Sequence, residues 1–190
     1  MTTIALVRHG QTDWNATDRL QGSSDIPLNE FGREQARQTV RKLTGAQWDG
    51  IVSSPLSRAA ETADILAAGL HTEVYERMPE LIERSYGEAE GLTLQEAKNR
   101  WPGGGLFPGQ ESEEEVTARG MKAIDVLAGR HPGQQVVAVG HGTWIRVVLS
   151  TILGTPVDHI LNTALSEINN DSGRWAATIV NNEPVLPAHS

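Results

Sequence analysis

The sequence predicts an α/β fold in which a mostly parallel sheet carries helices on both faces. Three observations lead there. Short apolar runs alternate with segments of helical period along most of the chain. The unit strand, His-Gly, helix occurs twice, at "TIALVRHGQT" and again at "QQVVAVGHGTWIRVVLSTILG". Near the end, "ALSEIN" and "RWAATIVN" alternate apolar and polar residues around the turn-forming "NDSG", which predicts a hairpin as the antiparallel edge of the sheet.

Each element follows from its own residues. The run Ile4 to Val7 is too short for a helix and is stopped by Arg8, His9 and Gly10, so it reads as a buried strand whose end is exposed. "TDWNATDRLQGSSDIPLN" is rich in Asp, Asn, Ser and Gly and predicts a long functional loop. In "EFGREQARQTVRKL", Ala36, Val40 and Leu43 share one helix face, and Gly45 is the stop signal. "DGIVSS" is a short strand. Pro55 then takes the first helical position of "LSRAAETADILAAGL", with Ser54 as its cap, which puts Arg58 in that helix's first turn. "TEVYE" is a further strand. Thr93 with Glu96, and Ser112 with Glu115, have capping-box spacing, the second ahead of a long amphipathic helix that runs to about Gly129. Glu113 to Glu115 match the positive end of that helix's dipole. Between the two boxes, the glycines at 103 to 105 lack the preceding strand and the Lys-Ser/Thr ending of a phosphate loop. The segment 101 to 111 reads as a flexible lid to which Trp101, Leu106 and Phe107 give apolar weight, ordinary packing of those three against the sheet being the equal alternative. The tail from Pro184 has no pattern and is expected to fray.

Composition narrows the function. A chain of 190 residues suits one domain spanning residues 1 to 190, and the lack of cysteine rules out thiolate chemistry and a disulfide framework. A net charge of -8 argues against a nucleic-acid partner, and no apolar run is long enough for a signal peptide or a membrane span. The expectation is a cytoplasmic protein without membrane attachment. The sequons at Asn15 and Asn170 then carry no weight. The oligomeric state stays open, a homodimer being one arrangement.

In open α/β sheets, ligands bind beyond the carboxyl ends of the strands, where the strand order reverses. If the strands before His9 and His141 are neighbours, Arg8, His9 and His141 converge on one crevice. Arg58 joins them from its helix start, and the helix behind "HGTW" aims its N-terminal N–H groups the same way. Cationic and donor groups without a metal cluster suit a phosphoryl group, whose transfer depends on positioning and charge stabilisation. Guanidiniums keep their charge, and an imidazole beside them resists protonation, so His9 is suited to act as a nucleophile.

Five segments, "LVRHGQTDWN", "RLQGSSDIPLNEFGREQA", "SSPLSRAAETA", "LIERSYGEAEG" and "VGHGTWIR", together resemble the histidine phosphatase superfamily, in the branch of cofactor-dependent phosphoglycerate mutase and related phosphatases. The match spans residues 4 to 146 in the family's order. The resemblance implies a three-layer α/β/α sandwich with a mostly parallel sheet and an antiparallel edge strand. It also implies transient phosphorylation of His9, a clamp of Arg8, Arg58 and His141, and Glu83 as proton donor. Asn15, Gln21, Gly22 and Gly142 match positions that line the family's phosphate site. No metal and no cofactor are implied, and the partner is a small phosphorylated metabolite.

Taken singly, these residues have plainer readings. An arginine at a helix start usually meets water, and Glu83 is one of several acids, with Glu76, Glu80, Glu88 and Glu90 close by. His71, His131, His159 and His189 match no motif and read as surface or cap residues. The conjunction of five ordered motifs outweighs the single readings. Family mutases carry a longer insertion after the acid, whereas Arg84 to Glu111 is short here and offers only Arg84, Lys98 and Arg100. That favours a phosphatase over a mutase. A catalytically idle phosphate-binding module is a third reading, and a dinucleotide binder lacks its glycine fingerprint.

Overall fold

The computed structural model describes residues 1 to 185. Its centre is a seven-stranded sheet of β1 (Thr2–Arg8), β2 (Gly50–Ser53), β3 (Val74–Arg77), β4 (Gln135–Gly140), β5 (Leu165–Asp171), β6 (Arg174–Val180) and β7 (Glu183–Pro184). The order is β3-β2-β4-β1-β5-β6-β7. The first four in that order are parallel, and β5, β6 and β7 each run antiparallel to the strand before. The expected antiparallel edge hairpin is β5 and β6, and β7 extends it by a third strand. Of the tail expected to fray, Pro184 pairs with β6 and the Val185 N–H donates to the Thr178 carbonyl at 2.9 Å, and the rest lies outside the described residues.

Helices cover both faces. Along β1, Ala5 and Val7 point into a core with Leu43, Ala59, Ala63 and Leu66, which come from α2 (Glu30–Leu43) and α3 (Ser57–Leu70). Ile4 and Leu6 point the other way, against α5 (Glu113–Arg130) and α6 (Gly142–Leu153). That alternation is the period-two geometry of a strand buried on both sides. The result is the three-layer α/β/α sandwich.

Both capping boxes form, Thr93 opening α4 (Leu94–Arg100) and Ser112 opening α5. Two local expectations are corrected. The loop after β1 contains a one-turn helix, α1 (Asp13–Ala16), closed by reciprocal bonds between Thr12 and Asn15. Asparagine at the third position serves as the glutamate of a capping box usually does. In turn, α3 starts at Ser57 with Leu56 as an N-cap that makes no side-chain bond, so Pro55 lies outside the helix and the Ser54 hydroxyl accepts the Leu56 N–H instead. The Ser57 N–H is met from a distance by Asp25 at 2.7 Å.

The connections explain why a cleft forms. From β1 the chain passes through α2 to β2, on the far side of β4; from β4 it passes through α6 to β5, on the far side of β1. Neighbouring parallel strands are thus left in opposite directions on opposite faces, which opens a crevice at their carboxyl ends. Residues 9 to 11 cross the start of α2 at glycine distance: a Cβ on Gly32 would sit 2.1 Å from the Gln11 carbonyl oxygen, and one on Gly10 would sit 2.3 Å from that of Gly32. Alanine raises helix propensity by about 1 kcal/mol, but backbone cannot swing aside as a side chain does. Gly32→Ala is expected to destabilise the protein by about 1–3 kcal/mol net, read as a lower urea midpoint; an unchanged or raised midpoint would show that the contact is slack.

Candidate functional site

At that crevice lies a cleft of about 310 Å³, lined by Arg8, His9, Asn15, Gln21, Gly22, Arg58, Glu83 and Gly142 from the sequence-derived set. His141 stands behind them, fully buried, its ring centroid 5.1 Å from that of His9. The register that pairs Arg8 with Gly140 makes this meeting unavoidable, because His9 and His141 are the next residues on adjacent strands.

His9 is held in one tautomer. Its Nδ1–H donates to the Gly10 carbonyl at 2.6 Å, which leaves Nε2 with the free lone pair. Its backbone carbonyl is fixed by the Asn162 amide at 3.0 Å, and the Gly10 N–H by the Thr62 hydroxyl at 3.1 Å. Burial, then Arg8 and Arg58, hold the His9 imidazole well below its ordinary pKa of 6.5. Burial does the same to His141, reinforced by Arg58, His9 and Arg8, and neither of its ring nitrogens has a hydrogen-bond partner.

The two arginines are buried cations held by neutral acceptors. Arg58 donates to the Ser24 carbonyl at 2.7 Å and the Gly22 carbonyl at 2.8 Å; Arg8 donates to the Ile160 carbonyl at 2.5 Å and to His159 Nε2 at 3.0 Å. Burial lowers the Arg58 pKa to about 10 and lowers that of Arg8, yet both remain charged at neutral pH. The Nε of each is buried without a partner. Elsewhere arginines pair with carboxylates, as in Arg33 with Glu61, Arg77 with Asp64 and Arg130 with Glu76. Among the described residues, no carboxylate lies within ion-pair distance of Arg8 or Arg58. Carbonyl oxygens orient a guanidinium without cancelling its charge, so the cleft keeps a concentrated positive potential for an anion.

Glu83 faces this charge from the start of α6. Its carboxylate accepts the N–H groups of Thr143 and Trp144 at 3.0 Å each, and that of Arg84 at 2.9 Å. The α6 N-terminus was expected to point at the ligand directly. Its Thr143 and Trp144 donors instead hold Glu83, because a carboxylate satisfies two orphan N–H groups at once.

Asn15, Gln21, Gly22 and Gly142, expected at a phosphate site, are held within the protein. Gln21 Oε1 accepts the Thr12 hydroxyl at 2.8 Å, and Asn15 Oδ1 accepts the Thr12 N–H at 3.1 Å, so their amide N–H groups are the donors left for the cleft. Gly22 has φ +53°, and a Cβ there would meet Glu90 Oε1 at 2.1 Å. Gly142 lets the Arg8 guanidinium lie 3.3 Å from where a Cβ would be.

Several residues at this site carried no signal of their own in the sequence. His159, read as a surface or cap residue, lines the cleft and bonds Arg8, whereas His71 and His131 do stand at helix C-termini; His189 lies outside the described residues. Glu90, lost among neighbouring acids, accepts the Ser23 and Ser24 N–H groups at 2.9 Å each and that of Tyr86 at 3.1 Å, fixing the loop whose carbonyls hold Arg58. Asn162, Tyr86, Thr143 and Arg146 also line the cleft, the last three standing inside motifs already quoted. The segment 101 to 111, expected as a lid, contributes nothing to the lining; Gln110 pairs with Tyr86 and Trp101 packs on Phe107 at 5.6 Å. Glu113, expected only to match a dipole, also pairs with Arg84 and Arg146. Among the described residues no group of three or more His, Asp or Glu stands together as a metal site, and no helix is long and apolar enough to cross a membrane.

Fold and cleft together define an enzyme of the histidine-phosphatase type. Residues 4–183 match the histidine phosphatase superfamily (branch 1), and the chain belongs to that family. It is 40% identical over 179 residues to the uncharacterized phosphatase PhoE of Bacillus subtilis, covering 92% of each chain. With the phosphoglycerate mutase-like protein 4 of Arabidopsis thaliana it shares 33% identity over 196 residues, covering 93% of this chain and 83% of that one. Among solved structures, a mycobacterial glucosyl-3-phosphoglycerate phosphatase complexed with VO3 superposes with a TM-score of 0.86 at 30% identity, covering 94% of this chain and 98% of the other.

The lowered pKa values of His9 and His141 have a consequence for stability. Below about pH 6.5 the unfolded chain takes up protons that the native imidazoles refuse, so stability is full above that pH and is lost as pH falls. Each such group adds up to about 1.4 kcal/mol per pH unit to the slope. Urea melts between pH 7 and pH 5 should show this decline, and His141→Asn should make it shallower by about one proton; an equal slope in both proteins would contradict the buried neutral state.

Proposed function

We propose that the protein is a phosphatase that hydrolyses a small phosphate monoester through a phosphohistidine on His9, with Glu83 as proton donor. The observation that carries this reading is the pair of buried guanidiniums without carboxylate partners beside an imidazole whose Nε2 is free.

The phosphoryl group enters between Arg8 and Arg58, with His141 adding a buried donor beside His9. The Nε2 lone pair attacks phosphorus as the ester P–O bond breaks, and the departing alkoxide takes the proton of Glu83. Charge building on the three equatorial oxygens is met by guanidinium and amide donors already in place, so little reorganisation accompanies the transition state. Water then attacks the phosphohistidine, Glu83 takes a proton from it, and the P–N bond breaks to release phosphate and neutral His9. The steps call on neither metal nor cofactor. Asn15, Gln21, Gly22 and Gly142 shape the phosphoryl site, the first two through their amides and the glycines through the space they leave.

A mutase is the second reading, favoured by the similarity to a phosphoglycerate mutase-like protein. Against it, none of the three cations in the short stretch after Glu83, Arg84, Lys98 and Arg100, lines the cleft: Arg84 is tied to Glu113 and the Glu111 carbonyl, and Arg100 lies over the Trp101 ring. A quenched assay on 3-phosphoglycerate with a bisphosphate primer separates the two. Phosphate release should outrun isomer interconversion; the reverse order would make the protein a mutase. His9→Ala should form no acid-labile phosphoenzyme from radiolabelled substrate and should lose at least about 10³-fold in kcat; retained labelling would refute His9 as the nucleophile.

A further inference from the structure

The guanidinium of Arg119, on α5, uses all five of its N–H donors. Two go to the Glu111 carboxylate, Nε to Oε1 at 2.7 Å and Nη2 to Oε2 at 2.9 Å. The other three go to carbonyls of the segment that carries Glu83: Glu80 at 3.0 Å, Ile82 at 2.6 Å and Glu83 itself at 3.2 Å. Glu111 grips the same segment from its other end, for Oε2 accepts the Ser85 N–H at 3.3 Å, its carbonyl accepts Arg84 Nε at 2.7 Å, and its N–H donates to the Ser85 carbonyl at 3.0 Å. Residues 80 to 85 hold no regular element longer than the 3₁₀ turn Pro79–Leu81, so nothing in their own backbone pattern would fix them.

We infer that Arg119 and Glu111 form a positioning pair for the proton donor, fixing the Glu83 backbone from α5 while the α6 N-terminus fixes its carboxylate. The inference rests on the reading of Glu83 as the acid. The ion pair is half-buried and bidentate, which gives it directional rigidity that a lysine in place of Arg119 would lack. A carboxyl group must lie within hydrogen-bond reach of the departing oxygen, and displacement by about 1 Å costs roughly 10²-fold in rate. Neither residue lines the cleft, so substrate affinity should be indifferent to both.

The test compares Glu83→Gln, Arg119→Lys and Glu111→Gln on nitrophenyl phosphate, whose leaving group departs without a proton, and on glycerol phosphate, whose alkoxide requires one. Arg119→Lys is expected to lower kcat on glycerol phosphate by roughly tenfold or more, to leave nitrophenyl phosphate within about twofold, and to keep both KM values. Glu83→Gln should show the same selectivity more strongly, and adding Arg119→Lys to it should cause no further selective loss. Equal losses on both substrates, or none, in Arg119→Lys while Glu83→Gln discriminates would overturn the positioning role alone. Should Glu83→Gln treat both substrates alike, the acid assignment falls and the positioning role falls with it. If Arg119→Lys does not fold, Glu111→Gln decides by the same selectivity, since it retains the arginine and its carbonyl bonds and removes only the anchor's charge.

Discussion

The parallel pairing of β1 with β4 is the constraint on which the site depends. Six backbone partners, from Thr3 with Gln135 to Arg8 with Gly140, set the register, and the next residue on each strand is a histidine. A slip by one residue would turn every apolar side chain of β1 to the opposite face. Because both faces are buried, the core on either side resists such a slip, and the same packing that stabilises the sheet fixes the distance between His9 and His141. The geometry of the candidate site is in this sense a by-product of a register that the core enforces.

Electrostatics then separates two populations of arginine. Eight of them, among them Arg33, Arg77, Arg130 and the cleft-lining Arg19 and Arg146, meet carboxylates. Arg8 and Arg58 are buried, where an isolated charge is costly, yet they meet carbonyl oxygens and an imidazole. Stability is forgone locally, and the charge of both guanidiniums is left without a carboxylate beside it. The Gly22 to Ser24 turn, tied down by Glu90, supplies the carbonyls for Arg58, and the stretch from His159 to Ile160 supplies the acceptors for Arg8. Burial first, and the same field second, keep the two histidines neutral, which leaves the His9 lone pair free.

Much of this was legible in the chain because local rules govern it. The period-two run of β1, the Thr93 and Ser112 boxes and the hairpin around Asn170 to Gly173 depend on residues within a few positions of one another. Arg8, His9 and His141 were also readable, since a charged or imidazole residue at the end of an apolar run stands where an α/β fold opens. Glu83 was singled out only by the resemblance of its surroundings, as no local pattern distinguishes it from the acids beside it. The placement of residues 101 to 111 was not legible, because glycine content speaks of backbone freedom and says nothing of which surface the segment lies upon.

By itself the sequence determined which elements form, which faces they bury, and which side chains stand at strand ends, because propensity, capping and hydrophobic period act over short separations. The tertiary structure alone decided that His159 turns inward to Arg8, that Glu83 occupies the N-terminus of α6, and that Glu90 and Arg119 reach across from other elements to hold the loop around Arg58 and the segment of Glu83. Those contacts join residues far apart in the chain, from 36 positions between Arg119 and Glu83 to 151 between Arg8 and His159. No local preference encodes such a pairing; it exists only once the sheet order has brought the partners within hydrogen-bond reach.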